Sequence, residues 1–421
     1  MSTSLRQPFI PRSPSAWNGV TSENYVLGDT QGRIGPGRTP DVNLSIVRRT
    51  LAPVAVASAA ALVLAACGSD PDTENSSDEE TSGGDSSEGT ETGGDSLSGT
   101  LNGAGASSQE AAVQAWIAGF QGQHPDVTVN YAPEGSGAGR EQFTSGAVAF
   151  AGSDAYLDDE EMAAAETACG APAVNLPLYI DPIAVAYNMP GVDGLQLGPV
   201  TLANIFNGTI TNWNDPAIAA DNPDATLPDL AITPVHRSDE SGTTENFVEY
   251  LAAAAPEAWT YEVSGDWPAD LPGEAGAQTP GVIAAVQAAE GTIGYASAAA
   301  VGDLQTAAIG VGSEFVEYSA EAAAAVVDAS PRAEGRAEND LAIELARDTT
   351  ESGAYPIVLI SYTIVCTAYE DPAVGDLVKA YVGYVASDDG QQAAADAAGS
   401  APISPELQTE VQAVVESIEV G

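Results

Sequence analysis

Short turns rich in glycine, serine and threonine recur in this sequence where helices are expected to begin. Three of them are Gly103-Ala104-Gly105-Ala106-Ser107-Ser108, Gly135-Ser136-Gly137-Ala138-Gly139 and Asp239-Glu240-Ser241-Gly242-Thr243. Glycine lets the backbone approach a ligand closely, and the free N–H groups and dipole of a helix start favour negative charge. One such turn is usually only a turn. Three in one chain, with Arg237 beside the third, indicate an anion-binding site.

A carboxylate is expected near the same site. The segment Phe150-Ala151-Gly152-Ser153-Asp154 places Asp154 at the end of a predicted strand. Taken alone, an acidic residue in this position is better explained as a helix cap.

The elements that would position these turns alternate between short apolar strands and amphipathic helices, which favours an α/β architecture. Strands are predicted at Val127–Tyr131 and Ala147–Ala151, and the apolar run Tyr355–Cys366 predicts one or two buried strands. Ser107 to Glu110 has capping-box spacing before the first of three predicted helices, and Ser404-Pro405 begins the last. Their apolar faces are Val113, Trp116, Ile117 and Phe120; Phe247, Leu251 and Ala255; and Leu407, Val411, Val415 and Ile418.

The composition excludes several classes of function. The 421 residues include 12 basic and 60 acidic side chains, for a net charge of −48. No Lys/Arg cluster lies beyond the first fifty residues, which argues against nucleic-acid binding. Two histidines and three cysteines without a C-x-x-C motif argue against zinc or redox sites, so we expect no metal or cofactor.

The N-terminal region has the features of an export signal. Arg48 and Arg49 precede an uncharged run that ends in Leu64-Ala65-Ala66-Cys67. This ending resembles a bacterial lipobox, which implies removal of residues 1–66 and acylation of Cys67, including palmitate. Residues 1–41 lack the pattern of a signal peptide, so we expect translation to begin near Val42. Residues 67–98 are acidic and nearly free of apolar side chains, and are predicted to form a disordered tether.

Taken in order, the motifs resemble one family, the substrate-binding protein of the bacterial high-affinity phosphate ABC transporter. The resemblance covers residues 99–421 and includes the three turns, the Asp154 segment and His236-Arg237-Ser238-Asp239. Further matches are Leu202-Ala203-Asn204-Ile205-Phe206-Asn207-Gly208, Trp213-Asn214-Asp215 and Gly291-Thr292-Ile293-Gly294-Tyr295.

The resemblance implies a two-lobed, type II periplasmic-binding-protein fold with two hinge crossovers and phosphate in the cleft. Lobe one would comprise residues 99–178 and 358–421, and lobe two residues 179–357. Asp154 would accept a hydrogen bond from phosphate, and Asp239 would hold Arg237 in place. The phosphate donors would be Ser107, Ser108, Ser136, Arg237, Ser241, Gly242 and Thr243.

The chemistry of Asp154 suits phosphate. Phosphate at neutral pH keeps a proton that sulfate lacks, so a carboxylate among donors accepts from phosphate and repels sulfate. The net charge opposes anion binding, but surface charges are screened beyond about 8 Å at physiological ionic strength. We expect the local donors to prevail, and the global charge to slow association at low salt.

The implied protein is an extracytoplasmic, membrane-anchored monomer that passes phosphate to a membrane permease and its ATPase, without catalysis. An alternative is a secreted phosphatase or hydrolase using Ser241 or Ser107, with His236 as a conceivable base; another oxyanion such as arsenate is also possible. A main role as phosphate sensor or surface antigen is left open. His124 is expected at a helix end.

Two charged residues and two cysteines need separate interpretation. Arg140 could reach the cleft, although a helix surface with a nearby acidic partner is preferred. Glu240 stands where other members of the family have glycine, and should point to solvent or pair locally. Cys169 and Cys366 are expected to form a disulfide once Cys67 is acylated; the alternative is two buried thiols.

Overall fold

The computed structural model describes residues 97–421, so Cys67, the predicted signal peptide and nearly all of the predicted tether lie outside the described residues. The strands in this range are β1 Gly99–Gly105, β2 Val127–Ala132, β3 Phe150–Ser153, β4 Ala173–Tyr187, β5 Gln196–Leu197, β6 Thr233–Arg237, β7 Glu274–Gly276, β8 Thr292–Ser297, β9 Gln305–Thr306, β10 Ala308–Val311, β11 Glu314–Val316, β12 Val358–Cys366, β13 Ala368–Tyr369 and β14 Glu419–Val420. The α-helices are α1 Glu110–Gln123, α2 Ser136–Thr144, α3 Asp159–Cys169, α4 Pro199–Phe206, α5 Pro216–Asp221, α6 Gly242–Ala254, α7 Gln278–Ala288, α8 Ala320–Asp328, α9 Pro372–Val385, α10 Asp388–Ala398 and α11 Pro405–Ser417.

One mixed sheet organises these elements, with the strand order β2-β1-β3-β12-β4-β8-β6-β7 and β9 added to β4. The pairs β1–β2, β1–β3, β6–β8 and β6–β7 are parallel, whereas β12 runs antiparallel to β3 and β4. Strand β4 is also antiparallel to β8. Because parallel neighbours need a crossover, helices follow β1, β2, β3, β6 and β7. The α/β prediction is confirmed.

Strand β4 joins the two parts of the sheet. All fifteen of its residues are buried; those up to Pro182 pair with β12, and those from Ile183 pair with β8. The Ile183 N–H donates to the Ile357 carbonyl at 2.7 Å, so two chain passages lie side by side here. The predicted lobe boundaries, 178/179 and 357/358, fall at or near these passages, and the division into lobes stays a prediction.

The C-terminal helices pack on the N-terminal part of the sheet. Trp116 of α1 is buried and donates from its indole nitrogen to the Gly390 carbonyl at 2.7 Å. The ring of Phe120 meets that of Tyr381 in α9 edge-on, with centroids 5.4 Å apart. This packing supports placing residues 358–421 in lobe one, together with residues 99–178.

Most of the predicted elements are found, with two corrections. Strand β3 begins at Phe150 rather than Ala147, because residues 145–149 form turns after α2. The capping box before α1 is wrong: Gln109 occupies the cap position and makes no side-chain cap. The serine hydroxyls find partners in distant elements instead, as described below. At the last helix, Ser404 caps α11 as expected by accepting from the Leu407 N–H.

Cys169 and Cys366 form a disulfide with a Cα–Cα distance of 5.7 Å, which confirms the expected pairing. It connects the end of α3 to the end of β12, two segments separated by 197 residues in sequence. A cross-link that closes so long a loop removes much of the conformational freedom of the unfolded chain.

We therefore predict that Cys169→Ser with Cys366→Ser lowers the free energy of unfolding by about 2–4 kcal/mol. The affinity of the predicted anion-binding site should be unchanged, because both cysteines lie at the ends of their elements remote from Asp154. Urea unfolding and calorimetry on the double variant would check both statements. A loss of affinity matching the loss of stability would show that the cross-link shapes the site.

Within residues 97–421, no helix is long and apolar enough to cross a membrane. The same part of the chain holds no group of three or more His, Cys, Asp or Glu side chains arranged to bind a metal ion.

Candidate anion-binding site

Asp154 lies directly after β3 and is 4% exposed. Its carboxylate accepts from the Ser108 hydroxyl at 2.7 and 2.8 Å and from the Thr243 hydroxyl at 3.0 Å. Ser108 follows β1, and Thr243 belongs to the first turn of α6, which follows β6. The two parts of the sheet therefore meet at this carboxylate.

Burial raises the pKa of the Asp154 carboxyl above its ordinary value, while hydrogen bonds from Ser108 and Thr243 partly offset the rise. A carboxylate with a raised pKa is a stronger proton acceptor than one in water. This is the property required for receiving a hydrogen bond from an oxyanion that still carries a proton.

Ser136 and Gly242 complete the contact between the two parts. The Asp154 N–H donates to the Ser136 hydroxyl at 3.1 Å. A Cβ atom on Gly242 would lie 2.6 Å from the Asp154 Cβ and 2.7 Å from the Ser136 Oγ. Any side chain at position 242 would therefore force apart the starts of α2 and α6, which explains why glycine is required there.

Arg237 is held in a planar, bidentate ion pair by Asp239. Its Nε donates to one carboxylate oxygen at 2.9 Å and its Nη2 to the other at 2.5 Å, and the arginine side chain is 3% exposed. Burial opposes ionisation of Asp239, but Arg237 and the Gln278 N–H hold its pKa below the ordinary value. Within residues 97–421 the Nη1 group of Arg237 has no hydrogen-bond partner, so its donors are free for an anion.

The other predicted donors lie at helix starts. Ser241 caps α6 by accepting from the Thr244 N–H, so the N–H groups of Gly242 and Thr243 lie in the first turn, where the helix has no carbonyl to offer them. Ser107 follows β1 and contacts Thr279 of α7, with 3.1 Å between the hydroxyl oxygens. The structure thus brings all eight predicted ligand-binding residues, and Asp239, to one buried region.

Sequence reasoning missed two residues of this region. Asn246 lies one helical turn after Gly242 and donates to the Asp154 carbonyl at 2.7 Å and the Gly242 carbonyl at 2.8 Å. This i, i+4 spacing could have revealed it. Thr279 had only a weak local signal: Gly276 precedes it by three positions, but no serine accompanies that glycine as in the other turns.

Arg140 and Glu240 depart from expectation. Arg140 does pair with acids, as predicted, but it is 8% exposed rather than on the surface. It donates at 2.8 Å both to Glu161 of α3 and to Glu240, which follows β6 in the other part of the sheet. Glu240 therefore neither points freely to solvent nor pairs locally.

Glu245, in the first turn of α6, lies near this ion pair. Burial raises the pKa of its carboxyl to about 7, aided by Glu240 and Glu249 and opposed by Arg140. Between the ordinary pKa of 4.5 and about 7, the folded protein retains a proton that the unfolded chain has released. The stability contributed by the neutral carboxyl is therefore full below pH 4.5 and is lost as the pH rises through 7.

We predict that Glu245→Gln is more stable than the unsubstituted protein at pH 8, by about 1 kcal/mol, and equally stable near pH 4.5. Urea unfolding at the two pH values measures the difference. Glu141→Gln, at an exposed position of α2, is the matched control and should show no such gain. A stabilisation of Glu245→Gln that is constant with pH would refute the assignment.

The two histidines have structural contacts. His236 stacks on Trp267, with an interplanar angle of 9° and a centroid distance of 5.1 Å, and its Nδ1 contacts the Arg237 carbonyl. Among residues 97–421, no hydrogen bond joins His236 to Ser241, whose hydroxyl accepts from a backbone N–H. His124 follows α1 at its C-terminal end, as expected.

Two parts of one sheet thus bring buried donors together around the Asp154 carboxylate. Residues 90–389 match the PBP superfamily domain. The chain is 37% identical over 381 residues to phosphate-binding protein PstS 3 of Mycobacterium tuberculosis, covering 87% of this chain and 98% of the relative. It is 35% identical over 378 residues to PstS 2 of the same species, covering 88% and 99%. The chain belongs to this family of PstS phosphate-binding proteins.

Solved structures agree on the fold. A high-affinity periplasmic phosphate-binding protein, PfluDING, bound with phosphate, aligns with a TM-score of 0.63 at 22% identity, covering 77% of this chain and 96% of that one. A phosphate-binding protein from Stenotrophomonas maltophilia aligns with a TM-score of 0.56 at 19% identity, covering 75% and 94%. The expected type II periplasmic-binding-protein fold is confirmed.

Proposed function

We propose that this protein binds inorganic phosphate at the Asp154–Arg237 site and delivers it to the permease and ATPase of an ABC importer. The observation that carries the proposal is the buried Asp154 carboxylate, which accepts from two hydroxyls. Burial raises its pKa, and Arg237 lies close enough for its charge to oppose that rise. The family membership supports the same ligand, since both mycobacterial relatives are named as phosphate-binding proteins.

Each predicted site residue would have its own role in phosphate binding. The Arg237 guanidinium supplies the positive charge, and Asp239 orients it. Asp154 accepts the proton of the phosphate, which sulfate cannot offer. The hydroxyls of Ser108 and Thr243 already donate to Asp154, so these two residues would donate to phosphate from their backbone N–H groups, as would Gly242. Ser107, Ser136 and Ser241 would donate from their hydroxyl groups.

The proposed mechanism is closure of two lobes, residues 99–178 with 358–421 and residues 179–357, without any chemical step. Acylated Cys67 would anchor a monomer to the outer face of the cell membrane, with residues 67–98 as the tether. Replacement of Cys67 by alanine should release the protein from the membrane fraction while leaving phosphate binding intact.

Binding and catalysis are separated by one pair of assays on the full-length protein. Equilibrium dialysis with radiolabelled phosphate should show a single phosphate retained per chain, and arsenate should compete more weakly. A chromogenic phosphomonoester should not be hydrolysed, because Ser241 has no histidine base within the described residues. Hydrolysis of the phosphomonoester by the unsubstituted protein that is lost in Ser241→Ala would refute the binding-protein proposal in favour of the hydrolase alternative.

A further inference from the structure

We propose that Arg140 and Glu240 form a clasp between the two lobes that slows release of bound phosphate; this inference rests on the proposed function. Arg140 belongs to α2, which packs on β1 and β3, while Glu240 lies in the turn between β6 and α6. Their ion pair, at 2.8 Å, joins residues that are 100 positions apart.

The arginine is built into lobe one without help from Glu240. Its Nε donates to Glu161 at 2.8 Å and its Nη1 to the Ser153 hydroxyl at 3.0 Å, and both partners belong to lobe one. These contacts fix the guanidinium in place and leave Nη2 directed at Glu240. Opening of the lobes would break the Glu240 contact and keep the other two.

The surface of lobe one is shaped to receive the Glu240 side chain. A Cβ atom on Gly137 would lie 0.9 Å from the Glu240 Oε2, so the carboxylate occupies the space that a side chain at position 137 would fill. Gly137 lies in the first turn of α2, where backbone N–H groups and the helix dipole favour a carboxylate. The contact thus combines an ion pair, a helix start and shape complementarity.

The clasp also explains how a carboxylate at position 240 is compatible with a neighbouring anion site. A carboxylate beside an anion site repels the ligand, but pairing with Arg140 neutralises it when the lobes are closed. The same pairing stabilises the closed state, and phosphate leaves only after the lobes open. Loss of the clasp should therefore act mainly on the dissociation rate.

The test compares two Glu→Gln substitutions in the full-length protein. Glu240→Gln removes the charge from the contact between lobes and is expected to raise the phosphate dissociation rate about five- to tenfold with little change in the association rate. Glu141→Gln, at an exposed position of the helix that carries Arg140, removes the same charge away from the ion pair. It is the matched control and should leave dissociation unchanged. Stopped-flow measurement with a phosphate-displacement readout gives both rates.

A double-mutant cycle with Arg140→Gln separates the clasp from general destabilisation. The double variant should release phosphate no faster than Arg140→Gln alone, and any loss of stability that Glu240→Gln causes in urea without phosphate should disappear in the Arg140→Gln background. Equal dissociation rates for Glu240→Gln and the unsubstituted protein would overturn the clasp.

Small-angle scattering without ligand tests closure separately: the radius of gyration should be larger for Glu240→Gln. Failure of the unsubstituted protein to bind phosphate would refute the proposed function. In that case, equal radii of gyration for Glu240→Gln and the unsubstituted protein would refute the clasp as well.

Discussion

Arg237→Gln is expected to weaken phosphate binding about a thousandfold, the largest effect among the substitutions considered. The guanidinium is 3% exposed and already oriented by Asp239, so the ligand meets a rigid, desolvated donor. Glutamine removes the charge and also leaves the Asp239 carboxylate unpaired beside the anion. Calorimetric titration of the variant with phosphate measures the loss.

Lys379→Gln is the matched control for this substitution, because it also removes one positive charge. Lys379 donates to the Glu416 and Ile418 carbonyls at the end of α11, both at 2.9 Å, and takes no part in the site. Its phosphate affinity should stay within about twofold of the unsubstituted protein. A similar phosphate affinity for Arg237→Gln and Lys379→Gln would show that Arg237 does not bind phosphate.

Asp154→Asn should change the choice of ligand more than the affinity for phosphate. The carboxylate is buried and its pKa is raised, so it accepts strongly from a protonated oxyanion and repels one without a proton. The amide of asparagine can donate to sulfate. We expect the ratio of phosphate to sulfate affinity to fall about a hundredfold or more.

Asp340→Asn provides a second buried aspartate for comparison. Asp340 is 4% exposed and accepts from the Asn175 side-chain amide at 2.9 Å, away from the donors around Asp154. Its replacement is expected to cost stability but to leave the phosphate-to-sulfate ratio unchanged. A drop in this ratio for Asp340→Asn as large as for Asp154→Asn would mean that selectivity depends on general rigidity.

Local sequence patterns predicted the structure correctly where a residue interacts mainly within its own helix or strand. The apolar spacing of Trp116 and Phe120, the Ser404 cap and the buried run of β12 depend on periodicity and neighbours in sequence, and the structure agrees. The glycine-rich turns were recognised for the same reason, because a helix start with glycine and hydroxyls has a local signature.

Local patterns failed where a tertiary partner outcompetes a local one. Ser107 has the spacing to cap α1, but its hydroxyl pairs with that of Thr279, 172 residues away. Arg140 looks like a surface residue on a short helix, yet β3, α3 and the turn after β6 surround it. The partners of these residues are fixed by the order of strands in the sheet, which no local pattern specifies.

Selective phosphate binding can be tested by calorimetric titration of the full-length protein, stripped of ligand, with phosphate and then with sulfate. We expect tight binding of a single phosphate and no measurable heat with sulfate at the same concentration. Absence of heat with phosphate would refute phosphate binding, and binding of both anions with similar affinity would refute the selectivity assigned to Asp154.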